Sequence, residues 1–269
     1  MQRFEPNTTT PESLTASIRT FFADVLSDED SRVSPFLGGE KAARARLQDI
    51  DPVDYCRSRN YYAGAVTRLS PYIRHGILHP EAVRQQALAK APAKEIEKFI
   101  QELTWRFFWQ RTYQQHPEWI WQDIEPYKTG FLKDEYFADL PIDIEQGTTG
   151  VACIDHFIQD LLQTGYMHNH TRMYVASYLV HFRRVKWQVG ARWFLRHLID
   201  GDLASNNFSW QWVASTFAHK PYFFNLENVA KYCGKHVDCS PERNQVLDAT
   251  YAQLEARLFP KKRPEKEVL

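Results

Sequence analysis

The sequence predicts an all-α protein, a cluster of helices with no sheet. Apolar residues recur at helical spacing in each long segment, and no alternating run reaches the length of a strand. Helix-start signals precede several of those segments. At 269 residues the chain is long enough to bury a sizeable core in one large domain or two small ones.

Residues 1 to 9 read as a loose arm. Thr10 is an N-cap, with Pro11 at the first helical position and Glu12 in the first turn. Leu14, Ile18, Phe21, Val25 and Leu26 then set a helix over 11–26. Gly38 and Gly39 precede a short helix over 40–48, and Asp51-Pro52 opens the next element. Pro92 to Gln115 reads as one long helix with Ile96, Phe99, Ile100, Leu103, Phe107 and Phe108 as its buried stripe. Glu102, Trp105, Arg106 and Trp109 share a different face. Either they form a surface Glu–Arg pair beside half-buried rings, or they line a site. Cys153, Ile154, Phe157, Ile158, Leu161 and Leu162 mark a further helix. Two more follow, over 168–184 and 188–198. Ser240-Pro241-Glu242 is expected to cap a last helix carrying Leu247, Tyr251, Leu254 and Leu258, ahead of a charged tail. The expected organisation is an N-terminal helical extension over 1–50, a main helical domain over 51–239, and a terminal helix and charged tail over 240–269 that form one structural unit with that domain.

Charges balance at 33 basic and 33 acidic residues, so no global charge points to nucleic acid. Their distribution is uneven. The segment 118–145 carries Glu118, Asp123, Glu125, Asp134, Glu135, Asp139, Asp143 and Glu145 against Lys128 and Lys133. From Leu161 to Ile199 there is no acidic residue, while Arg172, Arg183, Arg184, Lys186, Arg192 and Arg196 fall there with four histidines. Such cations want Asp200 and Asp202, or a phosphate-bearing ligand. The acidic and basic segments form either a polarised surface or two packed neighbours. Cys56, Cys153, Cys233 and Cys239 lack metal-site or disulfide spacing, which fits a reducing cytoplasm and no bound metal. No apolar run approaches the length of a membrane span.

Two motifs lie in series. The first is Gly165-Tyr166-Met167-His168-Asn169, with Arg172-Met173 after it; the second is Asp200-Gly201-Asp202-Leu203-Ala204, then Asn206-Asn207 and Trp210-Gln211-Trp212. Both, with their separation, resemble the flavin-binding domain of the photolyase and cryptochrome family. The resemblance runs from about Tyr55 to Trp212. It implies FAD as cofactor, and a stand-alone C-terminal FAD-binding domain without the N-terminal antenna domain of its relatives.

Carried over residue by residue, the resemblance assigns cofactor binding to Tyr55, Thr67, Arg68, Leu69, Ser70, Arg106, Asn169, Arg172, Asp200, Asp202 and Asn206. Asn206 matches the residue beside the flavin N5, and Arg172 with Asp200 an ion pair across the ring. Trp210 and Trp187 match the first two members of the family's tryptophan electron wire. The outermost member is unmatched, and Tyr136 or Trp193 could end the wire. Glu102, Trp105, Trp212, Met173 and Asn169 match contacts to a flipped-out cyclobutane pyrimidine dimer. Val66 stands where relatives have a hydroxyl residue, Phe107 where they have Glu, and Leu226 where they have Pro. The implied function is light-driven repair of pyrimidine dimers in DNA, with Glu102 and Asn206 as catalytic residues. The alternatives are a cryptochrome-like blue-light or redox sensor that binds a protein partner, and a helical protein that has lost its cofactor.

Overall fold

A computed structural model describes residues 10–24 and 34–262, which fall in two compact units, Met1–Leu37 and Gly38–Leu269. Within the first unit, α1 spans Pro11–Phe21. Thr10 and Ser13 cap its start reciprocally, the hydroxyl of each accepting from the other's backbone N–H. The helix closes at Phe22, earlier than its apolar spacing implied; Val25 and Leu26 lie outside the described residues.

The second unit holds the other helices: α2 (Glu40–Gln48), α3 (Pro52–Ser58), α4 (Ser70–Arg74), α5 (Pro80–Lys90), α6 (Glu97–Gln115), α7 (Ile142–Gln146), α8 (Ala152–Thr164), α9 (Asn169–Ser177), α10 (Trp187–His197), α11 (Leu203–Ala214), α12 (Leu226–Cys233) and α13 (Tyr251–Leu258). No strand forms among the described residues; Phe137 and Val185 make one isolated bridge. The all-α expectation therefore holds. The unit begins at Gly38, and Ala43 of α2 is buried in the same apolar cluster as Leu69, Tyr72 and Val83.

Two apolar clusters dominate this unit. One gathers α2 to α6 around Leu69, Val83, Ile96 and Phe99. The larger gathers α8 to α12 around Phe157, Tyr174, Trp187, Phe194 and Trp210. The loop 199–202 meets α4 at the seam between them. Arg74 Nε donates to the Gly201 carbonyl at 2.7 Å, and the His75 ring lies 2.8 Å from the Ile199 carbonyl. Gly165 closes α8 at φ 69°, a left-handed conformation that glycine adopts without strain, and its carbonyl accepts from Ile199 at 2.9 Å. That bond ties the start of the first motif to the start of the second.

Three further boundaries differ from the sequence expectation. The long helix starts at Glu97, after a 3₁₀ turn over Ala93–Glu95, and Phe107 and Phe108 are exposed rather than part of its buried stripe. The helix after α8 does not run evenly to Arg184. It passes at Tyr178 into a π turn, Tyr178–Phe182, in which Arg183 N donates to Tyr178 O. Pro241–Arg243 forms only a 3₁₀ turn, and the last helix starts at Tyr251, capped by Thr250.

The acidic and basic segments are packed neighbours. Arg183 forms a two-toothed pair with Asp143 at 2.8 and 3.2 Å. Trp187 and Gln188 donate to Asp123. The Phe137–Val185 bridge lies between these contacts.

Candidate flavin site

The second motif's two acids have separate partners. Asp202 caps α11, accepting from Ser205 N at 2.9 Å, so its place is fixed by backbone chemistry. Its carboxylate also accepts from Gln110 Nε2 at 2.8 and 2.7 Å and pairs with Arg106 at 3.2 Å. Asp200 lies two residues earlier with its side chain 2 % exposed. Its Oδ2 accepts from Arg172 Nη2 at 2.8 Å and from Ser70 Oγ at 2.5 Å. Arg172 is held from its own side by Nε donating to the Met167 carbonyl at 2.8 Å. The expected Arg172–Asp200 pair thus forms, and Ser70 of the preceding loop joins it.

Arg68 of the same loop approaches Arg172 through a shared ring. Arg68 adopts φ 52°, a left-handed conformation uncommon outside glycine. Its guanidinium and that of Arg172 lie 5.7 and 5.4 Å from the Tyr166 ring centre. Thr67 Oγ1 accepts weakly from Leu69 N at 3.4 Å, and the Leu69 side chain is buried. Tyr55 packs edge-on against Phe99, and burial, then the Glu102 charge, raises its phenol pKa.

Asn206 lies one turn beyond Asp202, its backbone N–H donating to the Asp202 carbonyl. Its amide donates to the Ala191 carbonyl at 3.1 Å and to Asn207 Oδ1 at 2.9 Å. Asn169 is exposed at the first turn of α9, and Met173 is half-buried one turn on.

Glu102 does not pair with Arg106. It lies 3.5 Å from Arg59 and 3.0 Å from Lys98, while Arg106 faces Asp202. Trp105 stacks on Trp109 at 5.4 Å, and Trp212 packs against Tyr222 at 5.5 Å. Of the eight tryptophans, only these two are exposed, at 43 % and 40 %.

Trp210 and Trp187 are both buried. Trp210 fits against Gly190, one turn of α10 beyond Trp187. Trp187 Nε1 donates to Asp123 at 2.6 Å. Tyr136 is buried against Tyr127 with its hydroxyl on Thr129; Trp193 is buried and its Nε1 has no hydrogen-bond partner.

Sequence reasoning missed Gln110, Asp123 and Gly190. Gln110 follows Arg106 by four residues, so its place on the Arg106 face was readable. Asp123 is 64 residues from Trp187, and only the fold joins them.

These residues are compatible with a ligand rich in both hydrogen-bond donors and acceptors. Asp200 Oδ1 is buried without a protein partner. Buried polar atoms are nearly always paired, so an orphaned carboxylate oxygen beside fixed cations points to a donor from outside the chain. Arg68, Arg74 and the hydroxyls of Thr67 and Ser70 can meet phosphate oxygens, and Asp200 can accept from a hydroxyl or ring N–H.

Comparison with known proteins agrees with this chemistry. A family model described as the FAD binding domain of DNA photolyase matches residues 99–241. The chain belongs to this family. FAD is therefore its cofactor, and the residues around Asp200 fit it. A deoxyribodipyrimidine photo-lyase from Streptomyces griseus is 35 % identical over 202 residues, covering 72 % of this chain and 44 % of the relative. The chain thus spans less than half of that protein's length. Among solved structures, a class III photolyase from Agrobacterium tumefaciens matches at TM-score 0.62 and 27 % identity, covering 85 % of this chain and 46 % of that one. A Synechocystis cryptochrome matches at TM-score 0.66 and 26 % identity, covering 85 % and 52 %. The helical fold of this FAD-binding domain is shared with both. No described helix is long and apolar enough to cross a membrane.

Proposed function

We propose that the protein is a light-driven DNA lyase that opens cyclobutane pyrimidine dimers, acting in the cytoplasm. The carrying observation is the exposure of Trp105 and Trp212 while Trp187, Trp193 and Trp210 are buried. Large rings left at the surface lose the stabilisation that burial gives, about 25 cal/mol per Å², and so mark binding surfaces. Flat indoles suit an extruded base pair. Glu102, one turn of α6 before Trp105, is a carboxyl group able to hydrogen-bond a pyrimidine carbonyl.

FAD, when bound and reduced, supplies an electron on excitation by light. The protein's part is to hold and tune it. Arg172, fixed by Met167 and Asp200, sets a cation that favours negative charge on a neighbouring ring. Asp202, held by Arg106 and Gln110, offers an acceptor. Trp210 and Trp187 give a buried route by which the cofactor can be re-reduced. Exposed basic side chains would meet DNA phosphates, making affinity fall with salt.

A second reading is a cryptochrome-like sensor that binds a protein partner. The likeness to the Synechocystis cryptochrome favours it, and the Trp210–Trp187 pair serves either activity. The deciding experiment irradiates reduced, FAD-loaded protein with a dimer-containing oligonucleotide and counts restored thymines. Repair supports the lyase. No repair, with normal flavin photoreduction, leaves the sensor.

A further inference from the structure

We propose that Asp123 is the proton acceptor for oxidised Trp187, so that the electron vacancy created by flavin photoreduction is trapped on Trp187 as a neutral radical. This rests on the flavin reading above and adds a residue and a proton step to it.

The geometry is specific. Trp187 is 0 % exposed, and its Nε1–H donates to Asp123 Oδ1 at 2.6 Å. Such a short bond to a carboxylate is charge-assisted. Gln188 Nε2 donates to the same oxygen at 3.0 Å, holding the carboxylate in place. Lys133 lies 3.9 Å from Oδ2, and the Asp123 side chain is 13 % exposed, which leaves a path to solvent. Tyr127 and Tyr136 stack at 4.3 Å nearby; burial above all keeps both phenols protonated, so neither competes for a proton.

Removing an electron from Trp187 creates a cation in a buried site. An uncompensated buried charge is costly, and the adjacent carboxylate lowers that cost. Oxidation also makes the indole N–H far more acidic. With FAD bound, an electron leaving Trp187 would pass through Trp210 to the photoexcited oxidised flavin, while the Trp187 Nε1–H bond would break and an O–H bond would form on Asp123. A neutral indolyl radical and a neutral carboxylic acid would remain, with no net charge on the pair and the negative charge moved to the flavin. The same electron returning from the flavin, with the Asp123 proton, restores the resting pair.

The neighbourhood explains why the vacancy stops there. Trp121 lies parallel to Trp187 at 6.3 Å and 5°, well placed for a further hop. The Arg192 guanidinium sits 4.5 Å from the Trp121 ring centre. That cation stabilises a neutral electron-rich ring and opposes a positive one. The carboxylate is on Trp187 and the guanidinium is on Trp121, so both terms hold the vacancy at Trp187.

The test is flash transient absorption on FAD-loaded protein in H₂O and D₂O, comparing wild type, Asp123→Asn and Trp187→Phe. In wild type the tryptophan radical should be the deprotonated form, its appearance slowed in D₂O. Asp123→Asn keeps a hydrogen-bond acceptor but removes the proton acceptor. It should give the radical cation, with a lifetime about tenfold shorter, a barrier change of about 1.4 kcal/mol. Trp187→Phe should lose the long-lived radical. In the dark, without cofactor, the most downfield indole N–H resonance should vanish in Trp187→Phe and move upfield in Asp123→Asn. A wild-type radical that stays protonated overturns the proposal and needs no variant to be seen. So does the same radical with the same lifetime in Asp123→Asn. Protein that takes up no FAD overturns the flavin reading itself, and this step with it.

Discussion

A methyl group on Gly190 would lie 2.2 Å from Cη2 and 2.5 Å from Cζ3 of the Trp210 ring, and 2.9 Å from Leu179 Cδ2. The absent side chain is the space that the tryptophan occupies. In an open helix Gly→Ala gains about 0.5–1 kcal/mol. Overpacking a buried site costs about 1–3 kcal/mol. Overpacking should win here, so Gly190→Ala should destabilise the domain by about 1–2 kcal/mol in urea unfolding. Trp210→Phe should recover part of that loss, a coupling that a double-mutant cycle measures. A stabilised Gly190→Ala protein contradicts the packing.

Asp200 is buried and its partner Arg172 half-buried, and removing the arginine strands the acid. Arg172→Ala should cost about 3–5 kcal/mol of stability, because Asp200 then keeps only the Ser70 hydroxyl. Arg172→Lys should recover only part, since one ammonium does not reproduce a guanidinium that bonds Met167 through Nε and Asp200 through Nη2. A loss for Arg172→Ala below about 1 kcal/mol, the range of exposed pairs, contradicts the assignment.

Two buried histidines set a pH dependence. Burial pushes His168 down to about 4, with His170, Arg172 and Arg68 adding to the effect. Burial also pushes His181 down to about 4, against the pull of its bond to the Val213 carbonyl. Both are neutral in the folded chain, and an unfolded histidine titrates near 6.5. Between about pH 6.5 and about pH 4 the unfolded chain binds protons that the folded chain does not. Stability therefore falls as pH falls through that window, by up to about 1.4 kcal/mol per pH unit for each histidine. Urea midpoints between pH 6.5 and 5.5, above most carboxylate titrations, should show this. His181→Gln should flatten the dependence; an unchanged slope contradicts it.

Glu102 faces Arg59 and Lys98 rather than Asp202. Its loss should therefore spare the cofactor. Glu102→Ala should leave flavin content unchanged while lowering dimer repair at least about tenfold, or about 1.4 kcal/mol of transition-state stabilisation. Thymine recovery per flash at matched flavin absorbance is the measurement. Undiminished repair removes Glu102 from the chemistry.

Helix starts were legible because capping is local. Thr10 and Asp51 each satisfy N–H groups two or three residues away, so their role is readable without the fold. Phe107 and Phe108 were misread because periodicity counts rings as core and cannot distinguish rings kept at a surface. The π turn at Tyr178–Phe182 was invisible for a related reason. It is accompanied by a tertiary bond, His181 to the Val213 carbonyl, that no local pattern encodes. The pairing of Arg172 with Asp200 followed from the motifs. The bond from Asp123 to Trp187 and the space at Gly190 did not, because each depends on how α10 meets its neighbours.

The central claim is that Ser70, Arg172 and Asp200 hold one FAD at the seam of the two apolar clusters. Fluorescence titration of cofactor-free protein with FAD tests it most directly. Equimolar uptake is predicted, weakened at least about tenfold, or about 1.4 kcal/mol, by Asp200→Asn with helical content preserved. No uptake, or uptake indifferent to Asp200→Asn and Ser70→Ala alike, would contradict it.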